Sequence, residues 1–101
     1  MREFIVSSEA FRDLLEIWGY IALDSVEAAD RVESEFHQTF QMLARMPGLG
    51  HRRSELTSED LLFWTLYSYL IVYKRIGNHI RIVAVLHGRR DVKKVLKQRN
   101  Q

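Results

Sequence analysis

The stretch Tyr69-Leu70-Ile71-Val72-Tyr73-Lys74-Arg75-Ile76-Gly77-Asn78-His79-Ile80-Arg81-Ile82-Val83-Ala84-Val85-Leu86 decides the fold. Branched and aromatic side chains dominate both of its halves, and such residues fit a pleated, packed strand. Gly77-Asn78 separates the halves and marks a tight hairpin turn. Residues 69–75 and 80–86 are therefore expected to pair as antiparallel strands. Apolar residues fall on both parities of each run, so much of the sheet should be covered on both faces. Just upstream, Leu61-Leu62-Phe63-Trp64-Thr65-Leu66 reads as a further strand.

The cover must come from the N-terminal half. Phe4-Ile5-Val6 reads as a short first strand, and Ser7 offers a helix N-cap with Glu9 in the first turn. Phe11, Leu14, Leu15, Trp18, Ile21 and Ala22 then recur at helical spacing and define one apolar face, with Arg12, Asp13, Glu16 and Gly19 falling elsewhere. Asp24 followed by Glu27 resembles a capping box and is expected to start a second helix. Ala29, Val32, Phe36, Phe40 and Leu43 form its stripe, and Pro47-Gly48 stops it near Met46. Two amphipathic helices with a very short link should fold as an antiparallel hairpin lying on the sheet. Residues 47–60 read as a loop with room for one helical turn, and a short basic helix or tail should follow His87-Gly88. The expected class is α+β: an N-terminal strand, then a helical hairpin on a small twisted antiparallel sheet.

A chain of 101 residues fits one domain, 1–101. With 47% apolar residues and no cysteine it should be globular, without disulfides or thiolate metal sites. The N-terminus lacks the long apolar run of a signal peptide, and the longest apolar runs, 69–73 and 82–86, are far too short to cross a bilayer. A cytoplasmic protein with no membrane contact is expected. No Walker loop, GxGxxG, HExxH or GxSxG is present, and His37, His51, His79 and His87 lack metal-ligand spacing. No cofactor, metal or small-molecule ligand is expected.

The net charge of +2 hides an asymmetry. Residues 1–73 hold six Lys/Arg against twelve Asp/Glu; residues 74–101 hold nine Lys/Arg against one acid, Asp91. The basic end suits an anionic partner, either nucleic acid or an acidic protein segment, though a C-terminal charge run is commonly just solvated tail. The His51-Arg52-Arg53 cluster could hold a phosphate or a carboxylate, or be ordinary surface. In His87-Gly88-Arg89-Arg90-Asp91 two readings compete. His87, sharing a strand face with Arg81, could serve with Arg90 as acid and phosphate clamp in RNA cleavage. Alternatively His87 finishes the strand and Asp91 ties the turn. With no matching general base, the structural reading is preferred.

The ordered sum of several short motifs resembles ParE-type toxins of the ParE/RelE superfamily. They are Ser7-x-Glu9-Ala10-x-x-Asp13-Leu14, Ile17-Trp18-x-Tyr20-Ile21-Ala22, Ala28-Ala29-Asp30-Arg31, Pro47-Gly48-Leu49-Gly50, Arg53-x-x-Leu56, Phe63-Trp64, Tyr69-Leu70-Ile71-Val72-Tyr73 and Val85-Leu86-His87-Gly88-x-Arg90-Asp91. The resemblance implies the toxin of a type II toxin–antitoxin, or plasmid stabilisation, system. Such toxins arrest growth by inhibiting DNA gyrase and are neutralised by a cognate ParD-like antitoxin. One departure is that Arg89 stands where the residue before the Arg-Asp pair is typically small.

Under that resemblance Arg89, Arg90, Lys93, Lys94 and Lys97 are expected to contact the target, and Arg52, Arg53, Arg75 and Arg81 the antitoxin. The alternative is a ribosome-dependent messenger RNA endonuclease of the RelE kind, which would use His87, Arg81 and Arg90. Residues 88–101 contain no His or Tyr for acid–base work, which disfavours it. A third possibility is a non-toxic binding module on the same fold.

Overall fold

Gly77 and Asn78 close the central hairpin as the sequence leads one to expect. Gly77 has φ +61° and Asn78 has no positive φ. This is the type II′ pattern, with glycine at the position that L side chains avoid. The turn joins β3 (Tyr69–Ile76) to β4 (His79–His87), whose pairing runs from Ile76–His79 to Tyr69–His87. β2 (Leu62–Leu66) pairs antiparallel with β3, and β1 (Phe4–Val6) lies on the other side of β4. The computed structural model describes residues 3–99.

The sheet order is β1-β4-β3-β2. The α+β class is as expected, with one refinement: β1 runs parallel to β4, so the sheet is mixed rather than wholly antiparallel. The cause is the route of the chain. It leaves β1 at one edge, crosses the sheet through two helices, and returns from the opposite edge by two hairpin turns. The returning strand therefore arrives beside β1 pointing the same way.

The crossing is made by α1 (Ser8–Ala22) and α2 (Val26–Arg45), joined by three residues. Ser7 caps α1 by accepting the Ala10 N–H at 3.1 Å. Ser25 caps α2 by accepting the Ala28 N–H at 3.1 Å, so the cap stands one residue beyond the expected Asp24. A single 3₁₀ turn, Pro47–Leu49, follows α2, and a short C-terminal helix, α3 (Val92–Arg99), ends the described chain.

Both faces of the sheet are covered. The helical hairpin buries Phe36, Phe40 and Leu43 against Ile71, Tyr73 and Ile82. On the opposite face Val92, Val95 and Leu96 of α3 rest on Leu70, Val72, Ala84 and Leu86. Tyr73 anchors the loop behind α2: its hydroxyl donates to the Pro47 carbonyl at 2.7 Å and accepts the Gly50 N–H at 2.9 Å. A Cβ on Gly50 would lie 2.8 Å from the Tyr73 ring, so this close approach requires glycine.

Two expectations need correcting. First, Phe11 and Leu15 do not face the core; they are 55% and 53% exposed, whereas Asp13 is 3% exposed. The helix is rotated because β1 stops at Val6, paired with Ile82, and leaves the next stretch of the β4 edge unpaired. The start of α1 serves that edge instead. Ser7 donates its backbone N–H to the Ile82 carbonyl at 3.0 Å and its hydroxyl to the Val83 carbonyl at 3.3 Å. Asp13 accepts the Val85 N–H at 2.9 Å. An unpaired buried N–H is costly, so this bond fixes which way α1 faces.

Second, Arg81 and His87 do not share a face. Val72 opposes Ala84 while Tyr73 opposes Ile82, so Val83 is an extra residue, a β-bulge. The bulge exchanges the parities of β4. Ile82 and Val85 pack under the hairpin, whereas Ala84 and Leu86 pack under α3.

Candidate functional site: the basic C-terminal face

The basic segment gets its shape from the last turn and α3. Gly88 donates its N–H to the Ser68 carbonyl at 2.8 Å, clipping the end of β4 to the β2–β3 turn. Asp91 then acts as N-cap, accepting the Lys94 N–H at 3.2 Å. From there Val92, Val95 and Leu96 turn inward and are buried. Lys93, Lys94 and Lys97, with Arg89 and Arg90 in the preceding turn, are all exposed. The five expected target-contact residues thus lie together on the turn and the outer surface of one short helix.

Arg99 behaves differently. On the helical wheel it falls with the inward residues, and it reaches Asp13 with two parallel hydrogen bonds of 2.5 and 2.7 Å. Asp13 thereby joins α1, β4 and α3. The side chains are 16% and 3% exposed, so the pair is largely withdrawn from water. The planar guanidinium fork matches a carboxylate two-to-two, and the bond to Asp13 raises the Arg99 pKa further above its ordinary value. Sequence patterning missed this pair because a lone acid among polar helix positions reads as solvent-exposed. The signal available was Asp13 lying beside Ala10, Leu14 and Ile17 on the wheel.

The residues of the nuclease reading are not brought together. Arg81 and His87 are six positions apart on β4, about 20 Å along a strand, and the bulge puts them on opposite faces. Arg81 lies with Lys74, its direct cross-strand neighbour, and with Arg99 around a small cleft of about 180 Å³. His87 stands edge-on to the Tyr69 ring at 5.5 Å between centroids. Its Nδ1 accepts the Arg89 N–H at 3.1 Å, so it shapes the turn.

The four residues expected to meet the antitoxin are also dispersed. Arg52 pairs with Asp60, and Arg53 with Glu55 at 2.6 Å, all exposed. Exposed pairs of this kind contribute little to stability and can exchange partners. Glu55 is held below the usual carboxylate range, first by its bond to Arg53. Arg75 pairs opposite Ile80 on the hairpin side, near Gly48, whereas Arg81 is on the α3 side. Among the described residues no cluster of His, Asp or Glu is placed to hold a metal ion, and no helix is long and apolar enough to cross a membrane.

Tyr67 occupies a position that sequence reading did not single out. It stands in the two-residue turn between Leu66 and Tyr69 with φ +56°, where a glycine would be unstrained. A non-glycine residue in this region costs on the order of 1–2 kcal/mol. Its hydroxyl donates to the Glu35 carboxylate on α2, and that bond first of all raises the phenol pKa.

Comparison with known proteins agrees with this architecture. A solved structure described as the chromosomal ParDE TA system from P. aeruginosa superposes with a TM-score of 0.71 at 19% identity. The match covers 86% of this chain and 96% of that one, and establishes the fold. No curated protein matches the chain. The family described as the ParE toxin of the type II toxin–antitoxin system parDE matches residues 4–92. The chain therefore belongs to the ParE toxin family of type II toxin–antitoxin systems.

Proposed function

We propose that this chain arrests growth in the cytoplasm by binding and inhibiting DNA gyrase, and that a ParD-like antitoxin holds it silent. The observation that carries the reading is the two-sided build of α3. Three apolar residues and Arg99 fix the helix to the body, leaving Lys93, Lys94 and Lys97 to point outward beside Arg89 and Arg90. Such a surface binds; its cations can engage carboxylates or phosphates of a large partner without any bond-making step. His87, the one candidate acid of the segment, is engaged in the turn.

Two features favour the antitoxin as resting partner. Phe11 and Leu15 stand one turn apart on α1 and are half exposed, offering apolar surface on which an amphipathic segment can pack. The basic surface around α3 complements an acidic chain. Affinity for the antitoxin should accordingly fall with added salt.

The test is supercoiling by purified gyrase with no ribosome present. The wild-type protein should block it. Replacing Arg90, Lys93 and Lys94 together by Glu should abolish the block and the growth arrest while leaving the fold intact. His87→Ala should retain most of both. If His87→Ala alone removed toxicity in a folded protein, or if transcripts were cut only when ribosomes were present, the endonuclease reading would replace this one.

A further inference from the structure

Two turns of the same kind stand at opposite ends of β3, and they are filled differently. Gly77 opens the β3–β4 turn with φ +61°, the residue type that this backbone favours. Tyr67 opens the β2–β3 turn with φ +56°, and Ser68 beside it has no positive φ. A Cβ at Gly77 would meet nothing within 4 Å, so that turn borders open space there. The Tyr67 turn is held from both sides. The Tyr67 hydroxyl donates to the Glu35 carboxylate of α2, and the Ser68 carbonyl accepts the Gly88 N–H at 2.8 Å. Glu35 directly precedes Phe36, one of the anchors of the hairpin core. A continuous path thus leads from that core, through Tyr67 and Ser68, to the first residue of the basic turn.

We infer that Tyr67 and Glu35 are positioning residues for the basic surface. Their bond holds the β2–β3 turn in its strained form, so that the Ser68 carbonyl keeps Gly88, and with it Arg89 and Arg90, in place beside Lys93, Lys94 and Lys97. Three observations carry this. First, one exposed hydrogen bond does little more than offset the strain of a tyrosine at a glycine position, and the Tyr67 ring, 57% exposed, adds little burial. A glycine would form the same turn without strain, so stability alone does not account for the tyrosine. Second, the three amides of the basic turn are all bonded, but those of Arg89 and Arg90 both go to His87, within the same segment. Of the three, the Gly88 bond is the one that ties the turn to another part of the chain. Third, Arg89 and Arg90 have no ion-pair partner among the described residues, so the backbone sets where they start from. A surface whose cations are placed before binding loses less on ordering when its partner arrives. The inference rests on the reading that the basic surface meets the target, but its first measurement needs no target, so either can fail alone.

The experiment follows amide hydrogen exchange in the ¹⁵N-labelled full-length chain, and growth arrest on induction without antitoxin, in four variants. Tyr67→Phe keeps the ring and loses the hydroxyl. Glu35→Ala loses the acceptor, whereas Glu35→Gln keeps an acceptor oxygen. Tyr67→Gly removes strain and tether together. In Tyr67→Phe and Glu35→Ala the Gly88 amide should exchange about fivefold faster, the worth of one exposed hydrogen bond, while amides in the middle of β3 keep their rates. The inducer concentration needed for arrest should rise by a similar factor. Glu35→Gln should behave as wild type in both readouts. Tyr67→Gly should melt no lower than wild type and still arrest growth less, which a bond serving stability alone cannot produce. If the wild type arrests no growth, the reading of the target fails while Gly88 exchange still decides the placement. The inference is overturned if Gly88 exchange is unchanged in Tyr67→Phe or if Tyr67→Gly arrests growth as wild type does. It is also overturned if Tyr67→Phe arrests growth fully while Tyr67→Gly does not, because the ring itself would then be the contact.

Discussion

On one face of the sheet α1 and α2 bury Phe36, Phe40 and Leu43 over Ile71, Tyr73 and Ile82. On the other, the eight residues of α3 lower Val92, Val95 and Leu96 onto Leu70, Val72, Ala84 and Leu86, and a single ion pair to Asp13 fastens the far end. The first face is a core in the ordinary sense, with ring packing between Phe36, Phe40 and Phe4. The second is a helix too short to persist alone, held by a few aliphatic contacts and one buried charge pair. The difference teaches where stability and function can be separated. Substitutions on the hairpin face should unfold the molecule, whereas those on the outer side of α3 should change what it binds.

The largest effect is expected in the hairpin core. Phe36, 1% exposed, should lose about 3–5 kcal/mol on replacement by Ala. Val95→Ala under α3 should lose only about 1–2 kcal/mol, by the methylene groups removed. Chemical denaturation measures both, and equal losses would erase the contrast between the faces.

Next comes the pair that fastens α3. Asp13→Asn keeps an acceptor for the Val85 N–H but leaves Arg99 without its counter-charge. Breaking one side of a buried pair costs about 3–5 kcal/mol when the remaining charge cannot escape. Because the end of α3 can swing its arginine into water, about 2–3 kcal/mol is expected here. A double-mutant cycle with Arg99→Gln should show coupling, and additive losses would mean that the pair is not the fastening.

Tyr73 gives a smaller, pH-dependent effect. Tyr73→Phe removes the bonds to Pro47 and Gly50 and should cost about 1–2 kcal/mol. Burial raises the Tyr73 phenol pKa, so the folded state holds this proton more tightly than the unfolded chain does. Its contribution is therefore complete below the unfolded value near pH 10 and is lost as pH rises above it. Wild-type Tm should drop more steeply than that of Tyr73→Phe above about pH 10; parallel curves would contradict this.

The smallest stability change belongs to the outer face. Lys94→Glu should alter stability by less than about 0.5 kcal/mol while weakening growth arrest, measured by induction without antitoxin.

What was legible in the sequence follows the same division. The β3–β4 hairpin, the two stripes and the turn at Gly77 are local patterns, and each was readable from its own residues. Asp13 was not, because its partners lie 72 and 86 residues away and a single acid carries no periodicity. Nor was the bulge at Val83, since a run apolar on both parities conceals a change of face. That bulge is what undid the expected Arg81–His87 pairing. The cationic target-contact residues were readable as a group, because they follow one another in the last part of the chain.

The most direct test of the claim that α3 is held separately from the core is native-state hydrogen exchange on wild-type protein and Arg99→Gln. The account predicts that amides of Val95 and Leu96 exchange about a hundredfold faster in the variant, while those of Phe36 and Phe40 keep their wild-type rates. Equal acceleration in both regions, or none in α3, would contradict it.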